Sequence, residues 1–271
     1  MEEVYKKILS IASDTYISEP KIVGGIPRDI YLGIDSGSDV DITTNDADCP
    51  RLGISLASSI RTRFKMFEDG HVSVYTEGGG LDFSGNFISK EAVSFTEDRE
   101  GSIEAYLYEV YSRDFTINTL HKKLLEQTLE DPTGLAEKDL EKKVIKTIVP
   151  PNICFSDDIR RIFRAINFSS RFKFAIDGEI VDYARENTQL LSSEMGRSLR
   201  DAFVTSIISE SIREDPDRTL GYLSDMNMLS LIPLVGRYKE ELIKRRLVAK
   251  YLDGSSDFGD KIRMFKQNTN I

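Results

Sequence analysis

Asp39 and Asp41 stand one residue apart in Ser38-Asp39-Val40-Asp41-Ile42, where polar and apolar residues alternate. Such alternation marks a strand, and side chains two apart on a strand leave from the same face. Two carboxylates fixed side by side repel each other and require a cation. Oxygen ligands that are few and rigid suit Mg²⁺ holding a substrate triphosphate. The pair is reached through Lys21-Ile22-Val23-Gly24-Gly25, a strand entering a tight glycine turn, where a backbone without Cβ turns sharply and approaches a ligand closely. Arg28 and Asp29 follow at the opening of a short helix, whose free N–H groups suit a phosphate. Gly24, Gly25 and Arg28 are therefore the candidate phosphate cradle. An isolated D-x-D is usually only a polar strand end; its place roughly a dozen residues after G-G-x-x-R-D is what makes this one specific.

The combination of Gly24-Gly25-x-x-Arg28-Asp29 with Asp39-x-Asp41 resembles the signature of the class II tRNA nucleotidyltransferase and bacterial poly(A) polymerase family, within the polymerase-β-like nucleotidyltransferases. Asp82 lies between Leu81 and Phe83, and a carboxylate so flanked on a strand is costly unless something pairs with it. The resemblance places a third acidic residue there, beside the metal pair; the alternative is an outward-facing aspartate on an edge strand. Arg113-Asp114-Phe115-Thr116-Ile117-Asn118 is similar to the family's second motif, R-R-D-F-T-I-N-A, with Ser112 replacing its first arginine. On a helix Asp114, Ile117 and Asn118 would share a face. By resemblance Arg113, Asp114 and Asn118 contact ribose hydroxyls and phosphate oxygens of a nucleotide; without it, Asp114 is a helix cap and Asn118 a surface residue.

Asp157-Asp158-Ile159-Arg160-Arg161-Ile162-Phe163-Arg164-Ala165 looks like the family's E-D-x-x-R segment, with Asp157 replacing glutamate. Asp158 and Arg161, three apart, are expected to project from one helical face. A carboxylate accepts hydrogen bonds and a guanidinium only donates. Cytosine and adenine offer an amino donor beside a ring-nitrogen acceptor, whereas uracil and guanine present the reverse. An Asp–Arg pair thus accepts C and A, and a site built to hydrogen-bond rejects a mismatched partner by about 10⁴-fold. The bland alternative is a surface ion pair worth about 0.3 kcal/mol. Arg164, one turn beyond, is a candidate phosphate contact.

The elements that must position these groups divide by pattern. Residues 2 to about 16 read as an amphipathic helix, and Cys49 to Arg61 as another, with Pro50 in its first turn. Phe64–Phe67, His71–Thr76 and Leu81–Phe83 read as short strands separated by Asp69-Gly70 and Gly78-Gly79-Gly80. Ser84 to Gly101 is polar and rich in turn formers, and is expected to be a mobile loop or lid. Lys143 to Val149 reads as a strand, and Pro150-Pro151 as a boundary. Beyond it the pattern is purely helical, with Phe155, Ile159, Ile162, Phe163 and Ile166 at helical spacing, and helices expected over 177–187, 192–209 and 215–223. The expected organisation is a catalytic head over 1–149, an α/β polymerase-β-like nucleotidyltransferase fold with a mixed sheet and helices. An all-α neck over 150–235 and a helical partial body over 236–271 follow.

With 40% hydrophobic and 30% charged residues, the 271-residue chain has the composition of a soluble globular protein. No apolar run approaches a membrane span, and no membrane partner is expected. Cys49 and Cys154 are the only cysteines and His71 and His121 the only histidines, which excludes a cysteine framework and a histidine-rich metal centre and points to the cytoplasm. The net charge of −9 opposes nucleic-acid binding on average, yet Arg160, Arg161, Arg164, Arg171 and Lys173 cluster, as do Arg237, Lys239, Lys244, Arg245 and Arg246. The resemblance implies an RNA nucleotidyltransferase that adds C and/or A to a tRNA 3′ end from CTP and ATP. Asp39, Asp41 and Asp82 would hold two Mg²⁺ ions. The same motifs would equally serve a poly(A) polymerase or an enzyme acting on another RNA acceptor. A nucleotide- or RNA-binding scaffold is the non-enzymatic alternative.

Overall fold

The computed structural model of the chain describes residues 1–35, 37, 39–45, 47–84, 88–101, 103–188 and 202–228. Contacts divide the chain into two units, Met1–Lys142 with Thr147–Cys154, and Lys143–Lys146 with the residues from Phe155 onward. The expected head–neck boundary at 149 and 150 lies within Thr147–Cys154, which packs with the first unit.

The first unit begins with α1 (Glu2–Asp14), β1 (Lys21–Val23), α2 (Gly25–Leu32) and β2 (Val40–Thr43). It continues through α3 (Cys49–Ile60), β3 (Phe64–Met66), β4 (Val72–Thr76), β5 (Gly79–Phe83), α4 (Lys90–Glu100) and α5 (Ala105–Tyr111). A 3₁₀ turn at Thr116–Asn118, β6 (His121–Lys123), β7 (Leu129–Glu130) and α6 (Ala136–Lys142) follow. The strands form one mixed sheet of order β3-β4-β5-β2-β1-β6-β7, in which β2 and β5 are parallel and their other neighbours antiparallel.

Strand alternation gives this sheet two unlike faces. Ile22, Val40, Ile42, Val72, Val74, Leu81 and Phe83 are buried on one, in a core shared with Ile8 and Ala12 of α1 and Leu52, Leu56 and Ala57 of α3. The residues between them, Asp41, Ser73 and Asp82, leave from the opposite face. The apolar face thus fixes the register, because a slip by one residue would turn the carboxylates into the core.

Ser84 to Gly101 departs from expectation. Residues 90–100 form α4, whose N-cap Ser89 accepts a hydrogen bond from Ala92 N at 3.1 Å and whose C-cap Gly101 has φ of +76°. Ser112 Oγ in turn accepts from Ser89 N at 2.9 Å. The segment is polar because only Ala92 and Thr96 of this helix are buried, and capping supplies what a wide apolar stripe usually does.

In the second unit β8 (Val144–Ile145) pairs in parallel with β9 (Ala175–Ile176), so the chain after Pro151 is not purely helical. The expected strand over 143–149 reduces to β8 and an isolated bridge from Thr147 to Phe115. The helix expected through Phe155 and Ile166 is broken into α7 (Pro151–Asp157) and α8 (Arg161–Phe172). Asp158 Oδ1 accepts from Arg160 N at 2.9 Å, and this local bond replaces a helical one. α9 (Gly178–Glu186), α10 (Ala202–Glu214) and α11 (Pro216–Asp225) complete the described part. Ser170 Oγ lies 2.8 Å from Thr219 Oγ1, and Asn167 Nδ2 donates to Ser211 Oγ at 3.3 Å, tying α8 to α11 and α10. The helix expected over 192–209 is described only from Ala202. The second basic cluster, at 237–246, and the partial body over 236–271 lie outside the described residues.

Candidate active site

The parallel register sets Asp41 directly opposite Asp82, and the antiparallel register on the other side sets Val23 opposite Asp41. Asp39 and Asp41 are exposed, whereas Val40 and Ile42 are buried. Two glycines make room for the carboxylates. A Cβ at Gly24, where φ is +73°, would fall 2.7 Å from Asp41 Oδ2, and one at Gly80 would fall 2.9 Å from Asp39 Oδ1. Asp82 Oδ1 accepts a hydrogen bond from Ser73 Oγ, its antiparallel neighbour on β4. Ser73 escaped the sequence reading; its signal is a lone hydroxyl between Val72 and Val74 on the strand beside Asp82.

The structure therefore brings Asp39, Asp41 and Asp82 together on one sheet face. Among the described residues no three His, Cys, Asp or Glu side chains close around a single metal-sized point. A row, and not a cage, suits Mg²⁺, which is commonly held by one or two carboxylates with substrate phosphates and water completing an octahedron. Hard oxygen donors, with space beside them kept by Gly24 and Gly80, fit that ion.

Arg28 lies deeper than a phosphate ligand on a surface turn. Its exposure is 3%, as is that of Asp29. Arg28 Nε donates to Asp29 Oδ1 at 2.8 Å, and its Nη1 donates to Asn118 Oδ1 at 2.7 Å. Asn118 Nδ2 donates to Asp114 Oδ1 at 2.9 Å, and the same oxygen accepts from Phe115 N at 2.8 Å. Arg113 Nη2 donates to Glu109 Oε1 at 2.5 Å, and its Nη1 to Asn118 O at 3.4 Å. The glycine-turn motif and the Arg113–Asn118 motif thus form one buried network. Asp114 and Asn118 do not share an α-helical face. Phe115 is extended (φ −128°, ψ 149°) and the turn after it is 3₁₀, because the Asp114 carboxylate holds the Phe115 amide. Glu109, which holds Arg113, was missed from sequence, and Asp29 was read only as a member of the turn motif, not as the partner that holds Arg28.

His121 was read only as one of two histidines. It begins β6, is fully buried, and neither ring nitrogen has a hydrogen-bond partner among the described residues. Burial pushes its pKa down to about 3, and the nearby charges of Arg113 and Lys21 push the same way. The unfolded chain binds this proton near pH 6.5, the ordinary value, so between about pH 6.5 and 3 the unfolded state carries more protons and stability falls as the pH falls. The slope is about 1.4 kcal/mol per pH unit. From pH 7 to 4.5 the loss from this group is about 2–3 kcal/mol. His121→Leu should lose that much less over the same interval in urea titrations. At pH 7 it should be as stable as wild type or more so, since two unsatisfied polar atoms disappear. Equal acid sensitivity in the two proteins would place the effect elsewhere.

In the second unit Asp158 is bidentate with Arg160, whose Nε and Nη2 donate to its Oδ1 and Oδ2 at 2.8 and 2.9 Å. Arg161 Nη1 lies 3.8 Å from Asp157 Oδ2. Asp158 and Arg161 therefore do not project from one helical face; Asp158 sits in the break before α8. Arg164 lies over the Phe168 ring, 5.3 Å from its centroid, one turn along the helix.

Residues 21–146 match the Poly A polymerase head domain. The tRNA nucleotidyltransferase cca2 of Schizosaccharomyces pombe is 30% identical over 199 residues, covering 64% of this chain and 40% of that protein. The CCA-adding enzyme of a Geobacillus species is 27% identical over 252 residues, covering 89% and 58%. The chain thus spans between two fifths and three fifths of the length of these relatives. A solved CCA-adding enzyme in complex with ATP shares the fold, with a TM-score of 0.64 and 22% identity over 83% of this chain and 51% of that one. The glycine turn, the paired strands and the carboxylate row all lie within residues 21–146, the stretch that matches the Poly A polymerase head domain.

Proposed function

We propose that the chain is an RNA nucleotidyltransferase that adds C and/or A to the 3′ end of tRNA, with CTP and ATP as donors. The observation that carries this reading is the row of Asp41 opposite Asp82 with Asp39 beside it, kept open by Gly24 and Gly80. The acceptor's 3′-oxygen forms a bond to the α-phosphorus, the bond from that phosphorus to the bridging oxygen breaks, and pyrophosphate leaves. Two Mg²⁺ ions, held by Asp39, Asp41 and Asp82, would supply a lowered pKa at the 3′-hydroxyl and charge for the leaving pyrophosphate. The Gly24–Gly25 backbone bends the triphosphate toward the carboxylates. Arg28 and Arg113 fix Asn118, which with Asp114 faces the nucleotide's sugar and phosphates.

Base choice falls to Asp158 and Arg161, with Arg164 on a phosphate. Asp158 would exchange Arg160 for the amino group of cytosine or adenine. That exchange is cheap, because a partly exposed ion pair is worth about 0–1 kcal/mol, and the Arg160 and Asp158 side chains are 42% and 28% exposed. Buried thiols at Cys49 and Cys154 suit a reducing cytoplasm.

Primer extension tests the reading. Each ribonucleotide is supplied singly, then CTP with ATP, on tRNA ending before CCA, on tRNA ending in C or CC, and on an unrelated short RNA. Incorporation of only C and A on tRNA, stopping after CCA, is the expected result. Long ATP-only tails on any RNA would replace it with a poly(A) polymerase, and bound nucleotide without incorporation with a scaffold.

A further inference from the structure

The carboxylate face of the sheet continues beyond Asp82, and its cross-strand rows are unusual in composition. Asp41, Asp82, Ser73 and Lys65 are successive register partners across β2, β5, β4 and β3. Two residues before Asp41, at the entrance to β2, a second row begins. Asp39 reaches Gly80, Gly80 pairs with Tyr75, and Tyr75 N donates to Arg63 O at 3.1 Å. Both rows run from an aspartate to an exposed cation, Lys65 or Arg63, three strands away, about 14 Å at about 4.8 Å per strand, with Asp82 one strand nearer to Lys65. Tyr75 is 46% exposed between them. Lys65 Nζ lies 4.1 Å from the Phe67 ring centroid, and that ring stacks on His71 at 4.0 Å and 13°, which orders the cation's stem.

Sheet order decides what this surface faces. Gly24 and Gly25 follow β1, and Arg113 to Asn118 lead into β6, so every nucleotide-facing candidate of this unit lies on the β1–β6 side of Asp41. In an in-line displacement the attacking and leaving oxygens approach phosphorus from opposite sides. With the donor on one side, the β4–β3 side remains for the acceptor.

We infer that Arg63, Lys65 and Tyr75 form the docking surface for the single-stranded 3′ end of the acceptor RNA. The two cations contact its phosphates and Tyr75 stacks a base, the combination by which proteins hold single strands. The acidic residues of this hairpin, Glu68 and Asp69, follow Phe67 at its tip, outside β3 and β4, and Asp69 Oδ1 lies 2.6 Å from His71 Nδ1. The inference rests on the transferase reading, but its test is equilibrium binding and does not require turnover.

A short fluorescein-labelled single-stranded RNA ending in cytidine is titrated with the full chain, with Arg63→Glu/Lys65→Glu, and with Tyr75→Ser, across a salt series. CTP binding with Mg²⁺ is measured separately by calorimetry, and melting curves confirm folding. The double variant should bind the RNA at least about tenfold more weakly, with the slope of log K against log salt reduced by about 1.4, the value for two single-strand phosphate contacts. Tyr75→Ser should weaken binding about tenfold with an unchanged slope, because stacking releases no counterions. CTP affinity should stay at wild type in all. Unchanged RNA binding in the variants overturns the inference, as does a loss of CTP binding with RNA binding retained, which would give this surface to the nucleotide. Wild-type chain that binds RNA as expected but extends nothing would sink the transferase reading alone. Wild-type chain that binds no RNA would sink both.

Discussion

Asp41→Ala is expected to lower nucleotidyl transfer by at least about 10³-fold while leaving the melting temperature unchanged or slightly raised. Of the three acidic residues Asp41 is the central one, two residues after Asp39, which immediately precedes its strand, and opposite Asp82 on the next. Removing it takes away the carboxylate common to both pairs, and loss of metal charge at a transferring phosphoryl group is worth several kcal/mol of barrier. The fold does not need it. Asp41 is exposed, and its neighbours Val40 and Ile42 carry the buried face. Carboxylates set opposite each other also repel, so the ground state without ligand should tolerate the loss. Single-turnover extension and a thermal melt on the same preparation check both halves. Transfer within about tenfold of wild type would remove Asp41 from the metal site; a large fall in melting temperature would show it to be structural.

The parts of this site that were legible in sequence are those set by local backbone rules. Alternation around Val40 and Ile42 is enough to put Asp39 and Asp41 on one face, because period-2 side-chain direction does not depend on distant residues. Gly24 is similarly readable: the turn demands a positive φ and the carboxylate of Asp41 occupies the space of a Cβ. What hid was set either by partners far along the chain or by polar side chains bonding the local backbone. Arg28 reads as a surface phosphate ligand until Asn118, ninety residues later, is found accepting its Nη1. Nothing around His121 announces that its imidazole is enclosed. α4 reads as a loop since its buried stripe is only Ala92 and Thr96, and the break between α7 and α8 is written in one side-chain bond, from Asp158 to the Arg160 amide. A polar side chain competing with the helical backbone leaves no trace in hydrophobic spacing.

The buried network also sets the largest expected effect on stability. Asp29→Ala should destabilise the first unit by about 3–5 kcal/mol, since it leaves the Arg28 guanidinium enclosed without its counter-charge. For a unit of this size that corresponds to a fall in melting temperature on the order of 10 °C. Arg28 and Asp29 are both 3% exposed, so water cannot take the place of the missing carboxylate. Asn118 could not compensate, because its oxygen is an uncharged acceptor and its amide is already donated to Asp114. The double variant Arg28→Met/Asp29→Leu should recover most of the loss, since apolar side chains of similar volume commonly replace a buried ion pair at little cost. That recovery separates two roles for Arg28. If the arginine serves only to hold Asn118, the double variant melts near wild type and binds CTP a few-fold more weakly, through a less fixed Asn118. If its charge also acts on the triphosphate, the same well-folded variant loses CTP affinity by at least about tenfold, the scale of a charge-assisted hydrogen bond. A loss under about 1 kcal/mol in Asp29→Ala would mean that the pair is open to solvent and that the network does not anchor the site.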